Sequence, residues 1–182
     1  MKQKKVLILH GWGGSDEPHW QWWLEGELKK LDYEVSFPNI PNRDKPELQE
    51  WLDFIKEEFD RFEPDYVVCH SLANILWFHF IDKYKIKEIE KLMLVAPVKA
   101  VAELPSFFPH PMPKDLRSKE VIMAGSTNDP YITLEETIEL AAKLNVGCKI
   151  LEDAGHINAD SGFGPLDCAR DWLDGCTQGS EH

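Results

Sequence analysis

Val67-Val68-Cys69-His70-Ser71-Leu72-Ala73-Asn74 takes an apolar run into a short polar pair, and its serine opens a second apolar segment. The first half reads as a buried strand and the second as the start of a helix. A serine at so sharp a strand-to-helix turn projects its hydroxyl above the sheet, where backbone N–H groups of the new helix surround it. That layout is a nucleophile elbow, written G-x-S-x-G. Cys69 and Ala73 stand at the two glycine positions, so the pattern is recognisable but imperfect. They are the next smallest residues, which still lets strand and helix cross closely. A serine that opens a helix is more commonly its N-cap, so the rest of the chain has to separate the two roles.

Strands alternating with helices extend the unit in both directions. Lys4 to Leu9 reads as a buried strand, broken by the glycine-rich loop His10-Gly11-Trp12-Gly13-Gly14. Ser15 or Asp16 is expected to cap a tryptophan-rich helix through Trp20, Trp22 and Trp23 to about Leu31. Tyr33 to Phe37 is a short strand. Lys45 to Phe62 is the clearest helix, its Leu48, Trp51, Leu52, Ile55, Phe59 and Phe62 recurring at spacings of three and four. Further strands are expected at Asp65–Cys69, Lys91–Ala96, Glu120–Ala124 and Cys148–Leu151, and helices at Ser71–Tyr84, Thr133–Leu144 and Leu166–Leu173. Right-handed crossovers then give a mainly parallel sheet covered on both faces. The expectation is a single three-layer α/β/α domain over residues 1–176 and a short polar tail over 177–182. Pro105 to Pro113 is a stiff irregular segment, either a short lid or a connector.

A chain of 182 residues is long enough to bury one sizeable core. Its formal net charge of −12 argues against a nucleic-acid partner, which requires clustered Lys and Arg. Only four apolar residues, Val6 to Leu9, follow the basic N-terminal stretch, too few for a signal h-region or a membrane span. Cysteines at 69, 148, 168 and 176 show neither C-x-x-C nor paired histidine spacing, so structural zinc and a disulfide framework are not expected. Reduced thiols suit a cytoplasmic protein without membrane or metal.

Three polar residues fall just past predicted strand ends, where open α/β sheets place their sites. Ser71 follows the third strand, Asp129 lies in Gly125-Ser126-Thr127-Asn128-Asp129-Pro130, and His156 lies in Asp153-Ala154-Gly155-His156. Ser, then Asp, then His is the order of the α/β-hydrolase triad. A serine hydroxyl is a poor nucleophile until a neutral imidazole takes its proton, and a carboxylate must hold that imidazole in the right tautomer. The backbone N–H groups of Trp12 and Leu72 are candidates to receive the oxyanion of a tetrahedral intermediate.

These motifs resemble the small serine hydrolases of the YdeN and retinoblastoma-binding-protein-9 type, a compact branch of the α/β-hydrolase superfamily. The matching stretches are His10–Gly14, His70-Ser71, Gly125–Pro130 and Gly155-His156, in the family's order and across nearly the whole chain. The resemblance implies a triad of Ser71, Asp129 and His156 in a hydrolase without a large cap domain. The expected activity is hydrolysis of a small ester, thioester or amide, a small acyl substrate handled without cofactor.

Each residue also has a plainer reading. Asp129 lies in a turn-forming Asn-Asp-Pro and could cap the next helix, with Asp153 and Asp160 as alternative acids. His10 and His70 are expected to orient loops, and the Cys69 side chain to point away from Ser71. Trp20, Trp22 and Trp23 fit core packing, whereas Trp12, Phe107 and Phe108 are candidates to line the substrate. A rival from another class is a pseudo-hydrolase that uses the same pocket to bind a ligand or a protein partner. A flavodoxin-like binder is disfavoured by the absence of a P-loop or dinucleotide fingerprint.

Overall fold

Apolar residues alternate along the strands and so set the layers. In β1 (Lys5–Leu9), Leu7 and Leu9 enter one core cluster while Val6 and Ile8 enter another. In β3 (Tyr66–His70), Val67 and Cys69 part from Tyr66 and Val68 in the same way. Successive side chains point to opposite faces, so strands this apolar must be covered on both sides. The computed structural model describes residues 2–176; the tail expected over 177–182 lies outside the described residues.

β2 (Glu34–Ser36), β4 (Ile89–Val95), β5 (Ser118–Ser126) and β6 (Gly147–Leu151) complete a six-stranded sheet of order β2-β1-β3-β4-β5-β6. Every strand pair in it is parallel. Helices α2 (Leu48–Phe62), α3 (Leu72–Lys83) and α4 (Leu134–Leu144) cover one face with Trp51, Phe59, Trp77, Phe80 and Leu140. The other face is covered by α1 (Trp20–Lys30) and α5 (Asp167–Asp174) through Trp20, Leu24, Leu28, Ala169 and Leu173. The fold is the expected single α/β domain.

Two helix starts differ from expectation. α2 begins at Leu48 and not Lys45, because Lys45 precedes Pro46 and a residue before proline is held out of the helical region. α1 is capped by His19, whose Nδ1 accepts from Gln21 N at 3.0 Å. The residues expected to cap it are engaged elsewhere. Ser15 Oγ donates to Gln21 Oε1 at 2.7 Å, and the Asp16 carboxylate is gripped by Arg43 at 2.9 and 2.5 Å.

Strand order decides where a site can form. From β1 the chain moves outward to β2, then crosses back past β1 to β3 and continues toward β6. The loops leaving β1 and β3 therefore diverge, and the crevice between them is the usual binding position in such sheets. Between β4 and β5 the chain adds only a short 3-10 turn, Pro105–Phe107. No helix among the described residues is long and apolar enough to cross a membrane.

Candidate active site

Ser71 follows directly on β3 with φ 57° and ψ −120°, and its side chain makes no capping bond. The N-cap reading therefore fails. A non-glycine residue in so sparsely populated a conformation costs roughly 1–3 kcal/mol and persists only where its surroundings enforce it. Its N–H donates to Val95 O at 3.0 Å, tying the elbow to the end of β4. The β1 loop presses on it from the other side. A Cβ on Gly11 would stand 2.9 Å from Ser71 Cβ, 3.1 Å from His70 O and 3.3 Å from Leu72 N, so only glycine fits there.

Cys69 and Ala73 are fully buried in the α2–α3–α4 core and do not line the crevice. Their small side chains meet the close strand–helix crossing on its packed side. Burial also pushes the Cys69 thiol well above its usual range, which keeps it protonated.

The Ser71 hydroxyl donates to His156 Nε2 at 2.8 Å. His156 Nδ1–H lies 2.9 and 3.1 Å from the two oxygens of Asp129, whose side chain is wholly shielded from solvent. Asp129 Oδ1 also accepts from Tyr131 N at 2.9 Å. The helix that follows is capped by Thr133, not by Asp129. Asp153 and Asp160, the alternative acids, are exposed.

The histidine loop rests on groups from two other elements. His70 Nε2 donates to His156 O at 3.0 Å, and Trp20 Nε1 donates to Ile157 O at 2.8 Å. His156 N donates to Ser161 Oγ at 3.2 Å. His10 joins two loops: its Nδ1–H donates to Gly11 O at 2.8 Å and its Nε2 accepts from Ile40 N at 2.9 Å. One neutral tautomer serves both bonds. Burial lowers the pKa of His10, His19 and His70, most simply because a charge there would be desolvated.

A cavity of about 320 Å³ opens over Ser71 and His156. Val98, Val101 and Leu104 form an apolar side, and Ser15, Asp16, Asn158 and Asp160 a polar one. Trp12 and Tyr131 border the cavity, and both are strongly exposed. Trp12, a candidate to line the substrate, borders this cavity, whereas the other two candidates, Phe107 and Phe108, do not. Phe107 is fully buried with its ring 5.7 Å from that of Trp51, and Phe108 packs on the same core. The apolar wall comes instead from residues just after β4. Sequence reading missed those residues and Tyr131, although Tyr131 stands only two places after Asp129. Of the tryptophans in the first helix, Trp20 is core, Trp22 is exposed, and Trp23 packs under the Arg170 guanidinium at 5.4 Å; none lines the cavity.

Chemically, a hydroxyl is bonded to an imidazole whose second nitrogen is held by a buried carboxylate, the arrangement that activates serine for acyl transfer. The Leu72 N–H, in the first turn of α3, has no intrahelical partner, and the loop carrying Trp12 packs close beside it, a Cβ on Gly11 falling 3.3 Å from Leu72 N.

Comparison with known proteins gives the family and the fold. Residues 6–175 match the family model described as serine hydrolase. YdeN of Bacillus subtilis (strain 168) is 26% identical over 180 residues, covering 93% of this chain and 94% of its own. Serine hydrolase RBBP9 of Rattus norvegicus is 23% identical over 163 residues, covering 84% and 86%. The crystal structure of the ydeN gene product superposes with a TM-score of 0.86 at 24% identity, covering 96% of this chain and 98% of that one. The α/β hydrolase MGS-MChE2, from a lagoon-sediment metagenome in Morocco, superposes at 0.74 with 14% identity, covering 96% and 92%. These superpositions establish likeness of fold.

Proposed function

This chain belongs to the serine hydrolase family, and on that premise we propose that it cleaves a small ester, thioester or amide through an acyl-enzyme on Ser71. His156 Nε2 takes the Ser71 proton as Oγ attacks the substrate carbonyl. The Asp129 carboxylate holds His156 Nδ1–H, fixes the tautomer and stabilises the imidazolium that forms. The backbone N–H groups of Trp12 and Leu72 receive the negative oxygen of the tetrahedral intermediate. Collapse expels the leaving group, which takes the proton from His156. Water, deprotonated by the same imidazole, then releases the acyl group from Ser71. No cofactor enters.

The observation that carries this reading is the unbroken chain of contacts from Ser71 Oγ through His156 to Asp129, at 2.8 and 2.9 Å. A cavity of about 320 Å³ with one apolar side favours a small acyl group. The setting proposed for this chemistry is cytoplasmic.

The test is a fluorophosphonate probe with hydrolysis of p-nitrophenyl acetate alongside. The wild type is expected to be labelled at Ser71 and to turn over, and Ser71→Ala to do neither. Asp129→Asn should retain the fold and lose turnover by about four orders of magnitude. A folded wild type that is neither labelled nor active would sink the proposal in favour of a ligand-binding role for the same pocket.

A further inference from the structure

Asn74 lies in the first turn of α3, fully buried, with its side-chain amide turned back onto the elbow. Nδ2 donates to Ser71 O at 2.9 Å and to Val95 O at 2.8 Å. Its Oδ1 is shielded from solvent and has no hydrogen-bond partner among the described residues. Leaving a buried acceptor unpaired is unfavourable, and an apolar side chain like those of its buried neighbours Ala73 and Ile75 would avoid it.

Satisfying the two carbonyls does not account for the amide. Val95 O already accepts from Ser71 N at 3.0 Å, and Ser71 O from the backbone N of Asn74 at 3.1 Å. What the added bonds do is fix a direction. Ser71 C=O and Leu72 N–H are opposite ends of one planar peptide unit. Rotation about Ser71 ψ, held here at −120°, is the motion that would swing this plane. Gripping the oxygen through Asn74 therefore holds the Leu72 N–H on its line toward the cavity that Leu72 borders. Bonds accepted by the carbonyl also polarise the peptide and make its N–H a stronger donor.

We propose that Asn74 is a positioning residue for oxyanion stabilisation, acting through the Ser71–Leu72 peptide without touching the substrate. Its side chain aims and polarises the Leu72 N–H, and its unpaired Oδ1 is the stability penalty that accompanies this. The inference rests on the reading of Ser71 as nucleophile.

The test compares p-nitrophenyl acetate with its thionoester, in which sulfur replaces the carbonyl oxygen. Developing negative charge on sulfur gains little from N–H donors, so the ratio of oxygen-ester to thionoester turnover reports on the oxyanion site. Asn74→Ala is expected to lower kcat for the oxygen ester by about tenfold or more. The thionoester should lose much less and KM change little, so the ratio falls. Asn74→Asp keeps the shape and removes both amide donors; it should lower the ratio too, and stands in where Asn74→Ala does not fold, as judged by circular dichroism melting. Equal losses on both substrates would mean a merely structural staple and overturn the inference, as would unchanged turnover on both. A wild type inert toward both esters overturns the nucleophile reading and this inference with it. An active wild type whose ratio survives in the variants overturns this inference alone.

Discussion

The side-chain oxygen of Asn128 accepts a hydrogen bond from the backbone N–H of Gly155 at 2.7 Å, so the loop that carries Asp129 is tied to the loop that carries His156. The same oxygen accepts from Ser126 Oγ at 2.9 Å, and one residue along, Thr127 Oγ1 accepts from Asp153 N at 2.9 Å. Asp129 and His156 are therefore tied to each other through their loops as well as through their side chains. Asn128→Ala is expected to lower kcat by roughly tenfold to a hundredfold, since small misplacements of a catalytic group have effects of that size. Loss of stability should stay near about 1 kcal/mol. Ester turnover and urea unfolding measure the two. Turnover at the wild-type level would mean that the loops hold their geometry without this bond.

Gly11 and Gly13 sit two residues apart in one loop but are constrained differently. A Cβ at position 11 collides with Ser71 Cβ and with backbone, which cannot swing aside. At position 13 it meets nothing within 4 Å, although φ is +83°. Gly13→Ala should cost about 1–2 kcal/mol through backbone strain and retain most turnover. Gly11→Ala should displace the elbow and abolish probe labelling of Ser71. Labelling of the Gly11→Ala protein at the wild-type rate would refute the close-approach argument.

Acid should weaken the fold through its buried histidines. His19 is held neutral down to about 4, by burial first and then by the nearby His156 and His10, and His70 is lowered well below 6.5 for the same leading reason. Above 6.5 neither the folded nor the unfolded chain protonates these rings, and they leave stability unchanged. As pH falls below 6.5 the unfolded chain takes up protons that the native state refuses. Each such histidine then removes about 1.4 kcal/mol of stability per pH unit until its native pKa is reached. Urea midpoints are expected to fall steadily from pH 7 to pH 5, and less steeply in His19→Asn. A midpoint independent of pH over that range would contradict the assignment.

Cys69→Gly tests whether the departure from glycine impairs the elbow. Cys69 packs in the core and is absent from the cavity lining, so removing its side chain should create a void and add backbone freedom. A loss of about 2 kcal/mol is expected, with little change in turnover. A large gain in turnover would show that the thiol restrains Ser71 after all.

The strand-and-helix order could be read from sequence because each element carries its own signal: short continuous apolar runs along β1 and β3, buried on both faces, and three-and-four spacing along α2. Asp129 and His156 could be located because a parallel sheet brings every strand's C-terminal end to one edge. The caps were less legible. Asp16 looks like a helix cap until Arg43, 27 residues on, takes its carboxylate. The apolar wall was misplaced for a similar reason. Phe107 and Phe108 are conspicuous in the sequence, yet large aromatics gain most by full burial, and the smaller Val98, Val101 and Leu104 were left to face the cavity.

By itself, then, the sequence determined the α/β architecture and the three loops that meet over the sheet, since both follow from local periodicity and chain order. Only the tertiary structure decided which carboxylate faces His156 and which side chains floor the cavity. It also decided how Ser71 is held at φ 57° by Gly11, Val95 and Asn74. Those outcomes depend on distances of a few ångströms between residues far apart in the chain, and no local pattern of residue types encodes such distances.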